Sequence, residues 1–285
     1  RYFDQHKIPI EHSFLYTAKT LINFSGKSLR VMDRNLGAYS VTGTEATLYQ
    51  YGRKDPFSNA NALYVGGEHK DTYRAWYSYL TRNEAGAKNN DVIAYAIQHP
   101  DAYITGSGAA GWLQTRDQTL WGDPDGWSEK YALEMSSFSG AKTAYDPCPA
   151  GYRVPNAWSF TGFTIDGKHA NMMIGNINLL DQAWNGGWLL KGCSEDTEGV
   201  FFPGTGYWIT YKNTTWDPEG TYFYRAKQSN YSYSWLASSP VRGSGNAGVL
   251  RIYFENEVNC GCSPQDTQRG DYALNVRCVR DDYNY

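Results

Sequence analysis

Apolar and polar residues alternate over short stretches of the chain, and glycine or asparagine interrupts most of these stretches. Alternation with a period of two is typical of half-buried strands, whereas repeated spacings of three and four residues indicate helices. The pattern therefore predicts short strands joined by long ordered loops, and it argues against a helical bundle or a doubly wound sheet. The strands predicted most strongly are Ser28–Met32, 200–202, 206–211, 249–254 and 273–279.

The last of these strands shows the alternation most clearly. Leu274, Val276 and Cys278 alternate with Asn275 and Arg277. Neighbouring side chains of a strand point to opposite faces of its sheet. We therefore expect the apolar set to point inward and the polar pair to point outward on a half-buried strand.

Three segments have a helical pattern of apolar residues. Either Asn90 or Asp91 is suited to cap the start of the second helix, and Pro100 ends it just after His99. The three helices are predicted at 71–81, 91–98 and 178–184.

A chain of 285 residues has the length of one large or two ordinary domains. The sequence contains no repeat of fixed period, low-complexity segment or obvious linker, so one loop-rich domain is favoured. We place this domain at 28–285 and interpret 1–27 as a lead-in segment or the remnant of a preceding domain. The first residues do not resemble a signal peptide, and we expect a soluble piece trimmed of any leader.

The charge balance excludes several classes of function. The chain has 26 basic and 29 acidic residues, a formal net charge of −3 and no cluster of lysine or arginine. A nucleic-acid partner or an anionic membrane surface would require such a cluster, so neither is expected. No apolar run approaches the roughly 18 residues of a membrane span.

Aromatic residues are abundant, with 24 Tyr, 11 Phe and 10 Trp, and they are concentrated between Tyr207 and Trp235. Tyrosine among Ser, Gly and Asn is the composition of a rigid, amphipathic binding surface. The segment from Asn230 to Asn246 has this composition. We expect Tyr231 and Tyr233 to contact a partner. The rings expected in a β core are Tyr207, Tyr211, Phe223 and Trp235.

Five cysteines occur without a Cys-x-x-Cys pair, which argues against a zinc ribbon or a thioredoxin-like motif. A bridge between Cys148 and Cys278 is compatible with their positions and would close a loop worth roughly 4 to 5 kcal/mol. Cys193 would then be able to pair with Cys260 or Cys262. The alternative is a set of reduced cysteines buried as small apolar side chains.

Catalytic and metal signatures are weak. No Gly-x-Ser-x-Gly motif, cysteine–histidine signature or distinctive carboxylate pair is present, so the sequence does not predict an enzyme. Oxygen ligands cluster in two turns, at Asp123 with Asp125 and at Asp217 with Glu219. Calcium binding at either turn is a minor alternative to an ordinary Asp-Pro-Gly type of turn.

Six sequence blocks, in order, resemble the major paralogous domain first noted in Fibrobacter, a C-type-lectin-like module of bacterial surface and fimbria-associated proteins. The resemblance covers about residues 28 to 281. The blocks are Val-Met-Asp-Arg-Asn-Leu-Gly at 31–37, Leu-Tyr-Gln-Tyr-Gly-Arg-Lys-Asp-Pro-Phe at 48–57, Tyr-Asp-Pro-Cys-Pro-Ala-Gly-Tyr-Arg-Val-Pro at 145–155, Phe-Phe-Pro-Gly-Thr-Gly-Tyr at 201–207, Trp-Leu-Ala-Ser-Ser at 235–239 and Asn-Val-Arg-Cys-Val-Arg at 275–280.

This resemblance implies an α+β, C-type-lectin-like fold with small twisted antiparallel sheets, short helices and long ordered loops. It implies that a small sheet joins the chain ends, that loops on one side bind the ligand, and that Cys148 pairs with Cys278. The Glu-Pro-Asn and Trp-Asn-Asp motifs of animal C-type lectins are absent, so calcium-dependent sugar binding is not implied.

We therefore expect an extracellular, non-catalytic ligand-binding module on a bacterial surface, similar to an adhesin or fimbrial tip. The resemblance extends to variable proteins diversified by retroelements. The partner would be a host or bacterial glycan or protein, or another fimbrial subunit, bound through tyrosine and tryptophan faces. Alternatives are a formylglycine-generating or glycan-active enzyme and a structural pilus subunit. The expected binding residues are Tyr231, Tyr233, Trp235, Arg242, Ser244, Asn246, Asn256 and Asn259.

Overall fold

A computed structural model describes most of the chain, and within it the fold is predominantly β with few short helices and several small sheets. All strand pairs except one are antiparallel among these residues. No helix of the described chain is long and apolar enough to cross a membrane. The described residues are 16–44, 46–57, 78–106, 110–124, 126, 140–183, 186–193, 198–212, 221–226, 230–238 and 246–281.

The strands are short, as the alternation predicts, and the longest has nine residues. In chain order they are β1 (Ala18–Ile22), β2 (Ser28–Met32), β3 (Tyr49–Gln50), β4 (Ser78–Thr81), β5 (Ala102–Thr105), β6 (Tyr152–Arg153), β7 (Leu179–Ala183), β8 (Gly187–Leu190), β9 (Val200–Pro203), β10 (Tyr207–Lys212), β11 (Thr221–Ala226), β12 (Tyr231–Trp235), β13 (Ala247–Phe254), β14 (Cys260–Gln268), β15 (Ala273–Leu274) and β16 (Val279–Arg280).

One sheet brings the two ends of the described chain together, in the order β1-β2-β16-β6. β1 and β2 form a hairpin in which Ala18 lies opposite Met32 and Ile22 lies opposite Ser28. In the same sheet Val279 of β16 lies opposite Val31 of β2. The domain start expected at residue 28 therefore falls inside a hairpin, because the strand before it belongs to the same sheet.

The central sheet has the order β12-β13-β14 and is covered by apolar residues on both faces. Tyr231 and Trp235 of β12 belong to the cluster on one face. Leu250 and Ile252 of β13 belong to the cluster on the other. Even the serines of β12 are buried, so this strand has no solvent-facing side along its length.

The described residues form three further sheets. One has the order β11-β10-β15-β3 and another has the order β7-β8-β9. The third consists of β4 and β5, which run parallel. Strands from distant parts of the chain thus meet in the two four-stranded sheets. The closing segment, 273–280, contributes β15 to one of them and β16 to the other.

Among the described residues, two α-helices precede β5: α1 (Arg82–Ala85) and α2 (Asn89–Gln98). The second confirms the helix predicted at 91–98, with His99 as its C-terminal cap. The predicted N-terminal cap was wrong, because Lys88 occupies that position. The Asp91 side chain instead accepts a hydrogen bond from the Lys88 backbone N–H at 3.1 Å, within the first turn.

The other two predicted helices were wrong where the structure describes them. Residues 78–81 form β4, which pairs with β5, and 71–77 lie outside the described residues. Most of 178–184 forms β7, which pairs with β8 through a register shift. Both segments are short enough that hydrogen bonding to a neighbouring strand overrides their local helix preference.

The segment predicted as one closing strand, 273–279, forms two short strands separated by irregular chain, β15 and the start of β16. Leu274, Val276 and Cys278 are fully buried, as expected, but so are Asn275 and Arg277. The expected outward orientation of the polar pair was wrong. Both polar side chains are buried because distant parts of the fold supply them with hydrogen-bond partners.

The buried Arg277 side chain connects distant parts of the fold. Its Nε donates to Asn35 Oδ1 at 2.8 Å, and its Nη2 donates to the Phe201 carbonyl at 2.8 Å. The guanidinium also lies 4.3 Å from the centroid of the Phe202 ring. Loss of solvent on burial lowers the pKa of Arg277 to about 9, and the acceptors and the aromatic ring offset part of that cost.

A disulfide joins Cys148 to Cys278, 130 residues later, with a Cα–Cα distance of 5.9 Å. The loop that presents Cys148 is organised by a buried carboxylate. Asp146 accepts hydrogen bonds from the backbone N–H of Cys148 at 2.8 Å and of Val154 at 3.0 Å. Lys142 Nζ donates to the same carboxylate at 3.0 Å. The Asp-Pro-Cys-Pro motif thus holds one end of the bridge in place.

Candidate functional site

A row of tyrosines crosses one face of the central sheet and continues onto one further strand and the turn before another. Tyr231 and Tyr233 lie two residues apart on β12, so their rings share a face. Tyr253 of β13 lies directly opposite Tyr231. Beyond the sheet the row continues through Tyr207, the first residue of β10, and ends at Tyr272, just before β15.

The rings of this tyrosine row contact one another in sequence. Tyr253 stacks on Tyr231 with centroids 5.4 Å apart, and Tyr231 stacks on Tyr233 at 5.6 Å. Tyr233 meets Tyr207 edge to face at 5.2 Å, and Tyr207 stacks on Tyr272 at 5.5 Å. Pairs of this geometry each contribute about 0.5 to 1.5 kcal/mol beyond burial, so the row is a rigid unit.

This packing corrects the expected role of the predicted rings. Tyr231 and Tyr233 are 9% and 5% exposed, and Trp235 is fully buried with its indole N–H donating to the Tyr49 carbonyl. The faces of Tyr231 and Tyr233 therefore do not lie open in the folded chain, whereas the burial of Trp235 agrees with its expected place in the β core. The faces contact neighbouring rings, several of them contributed by distant strands, and the hydroxyls of Tyr231 and Tyr253 are the parts of these rings nearer to solvent.

Charged side chains surround these edges. The Arg251 guanidinium lies 4.6 Å from the Tyr253 ring centroid, and its Nε is 2.8 Å from Asp266 Oδ2. The Tyr233 hydroxyl also contacts Arg251, and the Tyr231 hydroxyl contacts Glu255. Burial, together with the Glu255 contact, raises the pKa of Tyr231 to about 12. Burial also raises the pKa of Tyr233.

A histidine closes the Tyr253 end of the row. The His169 ring lies parallel to the Tyr253 ring, with centroids 6.3 Å apart, and its Nδ1 shares a 2.6 Å hydrogen bond with Ser263 Oγ. Gly261 makes this position possible. A Cβ there would meet the Ala170 carbonyl at 2.6 Å and the His169 ring at 3.0 Å.

An arginine closes the other end. The Arg269 guanidinium lies 5.3 Å from the Tyr272 ring centroid and is held by the Asp271 carboxylate. Both arginines at the edge of the row therefore have a carboxylate partner. The edge presents hydroxyls, guanidinium groups and carboxylates with little net charge, which is a surface suited to hydrogen bonding rather than to binding one strongly charged ligand.

The predicted asparagines do not join this row as one set. Asn256 and Asn259 are exposed in the turn between β13 and β14, where Asn256 Oδ1 accepts from the backbone N–H of Val258 and of Asn259. Asn246 precedes β13 at its other end. At ~3.4 Å per residue, the eight residues of β13 separate these two positions by about 27 Å. Arg242 and Ser244 lie outside the described residues.

Only one of the four carboxylates in the proposed calcium turns is described. Asp123 is buried, and its carboxylate accepts hydrogen bonds from the Gly126 backbone N–H at 3.1 Å and from the Ser238 hydroxyl. Asp125, Asp217 and Glu219 lie outside the described residues. No group of three His, Cys, Asp or Glu side chains capable of holding a metal occurs in the part of the chain that the structure describes.

The remaining cysteines do not pair as expected. The suggested bridge from Cys193 to Cys260 or Cys262 is not formed, and Cys260 and Cys262 remain thiols. Cys260 and Cys262 are fully buried, and burial raises the pKa of the Cys262 thiol. A buried thiol with a raised pKa is a poor nucleophile.

Several residues of the site were missed from the sequence. A usable signal existed for Arg251 and Tyr253, because they alternate within a predicted strand and must share a face. His169, Tyr272 and Arg269 carry no such signal, since each reaches the row from a loop or turn.

Comparisons of the chain with models of protein families, with curated proteins and with solved structures gave no match.

Proposed function

We propose that the chain is an extracellular ligand-binding module of a bacterial surface structure, similar to an adhesin or fimbrial tip and with a C-type-lectin-like arrangement. The observation that carries the proposal is the tyrosine row with its hydrogen-bonding edge. Rigid tyrosines with adjacent arginines are characteristic of protein surfaces that bind with little loss of entropy. The partner would be a surface glycan or protein.

Two features of the fold support the proposed arrangement. The first and last described strands lie in one sheet, in the order β1-β2-β16-β6, as expected for a module whose ends meet. The disulfide from Cys148 to Cys278 ties the closing segment to the Asp-Pro-Cys-Pro loop. A disulfide is also typical of proteins that fold outside the reducing cytoplasm, which favours a surface location.

The thiols favour binding over the enzymatic alternative. A formylglycine-generating activity would use an accessible and reactive cysteine pair, whereas Cys260 and Cys262 are fully buried. Cys260 Sγ donates to the Glu257 carbonyl at 3.4 Å, which is a structural role within the β13–β14 turn. Ligand binding by the tyrosine row requires no such chemistry.

The test uses the two partly buried rings at one end of the row. The protein would be screened on arrays of surface glycans and of extracellular proteins. Retention of each ligand found would then be measured for the double variant Tyr207→Ala, Tyr272→Ala. We expect at least a tenfold loss of retention, because ring contacts at interface hot spots contribute about 2 kcal/mol or more. Folding is checked by thermal melting.

The matched control is Tyr39→Ala, because Tyr39 is 63% exposed and belongs to neither the row nor its edge. Retention should stay unchanged in this variant. Unchanged retention in the double variant, or equal loss in the Tyr39 variant, would refute binding through the row.

A further inference from the structure

Arg269 ends the tyrosine row in a way that differs from an ordinary surface arginine. Tyr207 stacks on Tyr272 with an interplanar angle of 7°, and the Arg269 guanidinium lies over Tyr272 in turn. The Arg269 side chain is 41% exposed, so the guanidinium is the solvent end of this column.

The guanidinium is held in one orientation. Its Nε donates to Asp271 Oδ1 at 3.0 Å, and its Nη2 donates to Asp271 Oδ2 at 2.7 Å and to the Gly106 carbonyl at 2.8 Å. The Asp271 carboxylate is itself 1% exposed and accepts from the Gly106 backbone N–H at 3.3 Å. The folded protein therefore already orders this arginine side chain, so ligand binding does not carry the usual entropy cost of ordering it.

The third nitrogen remains available. Among the described residues, Nη1 of Arg269 makes no hydrogen bond, whereas the other two nitrogens are used. Asp271 compensates the charge, so a net anionic ligand gains little here. A planar cation with an exposed surface attracts the face of an aromatic ring, and its remaining N–H groups suit a carbonyl beside that ring.

We propose that Arg269 is a specificity-determining residue that receives an aromatic side chain of a protein partner, with Nη1 donating to a carbonyl of the same partner. This inference rests on the proposed function and selects a protein rather than a glycan as the ligand. Sugar hydroxyls would use the hydrogen-bond donors but have no use for the planar cation.

The test is nuclear magnetic resonance with protein labelled with ¹⁵N throughout. The probes are N-acetyltyrosinamide and N-acetyltryptophanamide, with N-acetylleucinamide and methyl β-glucoside as comparison compounds. We expect the two aromatic amides to shift the Arg269 Nε–Hε signal in a saturable way through the ring current. The Tyr272 backbone amide is the second reporter, because it remains when Arg269 is replaced.

Arg269→Lys keeps the charge but removes the planar group. It should weaken binding of the aromatic amides, followed at Tyr272, by about two- to fivefold, since exposed cation–π contacts are worth ~0.5 to 1 kcal/mol. The matched control is Arg34→Lys, which changes another ion-paired arginine over a tyrosine ring, that of Tyr16, outside the row, and should leave this affinity unchanged.

Three outcomes would overturn the inference: no shift at Arg269 with aromatic amides, an equal shift with the leucine amide or the glucoside, or an equal loss in both arginine variants. A glucoside response alone would point to a glycan ligand. The proposed function is judged separately by retention in the Tyr207→Ala, Tyr272→Ala variant. Lost retention there with no effect of Arg269→Lys would refute only the inference.

Discussion

The raised pKa of Tyr231 makes a quantitative prediction for stability in alkali. The ordinary value for tyrosine is 10.0, and burial with the Glu255 contact raises the pKa of Tyr231 to about 12 in the folded chain. The folded chain binds the phenolic proton more tightly than the unfolded chain, so the neutral phenol stabilises the folded state. This stabilisation is fully present below pH 10. It is lost as the pH rises from about 10 to about 12.

The magnitude follows from these two values. At pH 11 the phenol is mostly ionised in the unfolded chain and mostly neutral in the folded one. One pKa unit corresponds to about 1.4 kcal/mol, so ionisation of Tyr231 alone costs up to about that much free energy of unfolding between pH 8 and pH 11, and less to the extent that solvent screens the hydroxyl. Tyr231→Phe removes this titration, and the variant should lose up to about 1.4 kcal/mol less than the parent over the same interval.

The assay is urea unfolding at pH 8, 9, 10 and 11, followed by tryptophan fluorescence, with the change in free energy compared between the parent and Tyr231→Phe. Removing the hydroxyl also removes the Glu255 contact. That loss changes the free energy of unfolding by the same amount at each pH and does not change its slope with pH. Tyr39→Phe is the control, because its side chain is exposed. Parallel pH profiles for the parent and Tyr231→Phe would show that the ring is not buried as described.

Two further predictions concern the framework of the site. Reduction of the Cys148–Cys278 disulfide should lower the free energy of unfolding by up to about 5 kcal/mol, from the chain entropy of a 130-residue loop, and urea titration with and without reductant measures this. A loss under about 1 kcal/mol would contradict it. Gly261→Ala should destabilise the fold by about 1 to 3 kcal/mol, because its Cβ would meet the Ala170 carbonyl at 2.6 Å. Gly270→Ala, whose Cβ has 3.7 Å of clearance, should be tolerated, and equal effects in both variants would refute this reasoning.

Local pattern predicted the elements that depend on local information. β2 begins and ends where alternation placed it, and α2 was predicted within two residues at its start. β7 was predicted as a helix because an apolar run of that length fits either structure, and pairing with β8 decides between them.

The site residues show even more clearly that local sequence pattern does not predict contacts between distant strands. The rings beside Tyr233 include Tyr207, 26 positions earlier, and the row continues to Tyr272, 39 positions later. A tyrosine-rich segment with Ser and Asn has the composition of an exposed binding loop. Its burial depends on which distant strands pack against it, and alternation in one segment does not contain that information.

The buried polar residues of the closing segment explain how the tyrosine row is held in place. The Trp235 backbone N–H donates to the Asn275 carbonyl at 2.9 Å, and the Arg277 backbone N–H donates to Ser234 Oγ at 3.1 Å. β12 is therefore fastened to the segment that ends in the disulfide at Cys278. Because the same strand carries two rings of the row, the position of the candidate site depends on closure of the chain ends. We therefore expect the protein with a reduced disulfide to melt cooperatively but no longer to retain ligand. The reason is that loosening the closing segment would release β12 before the rest of the core.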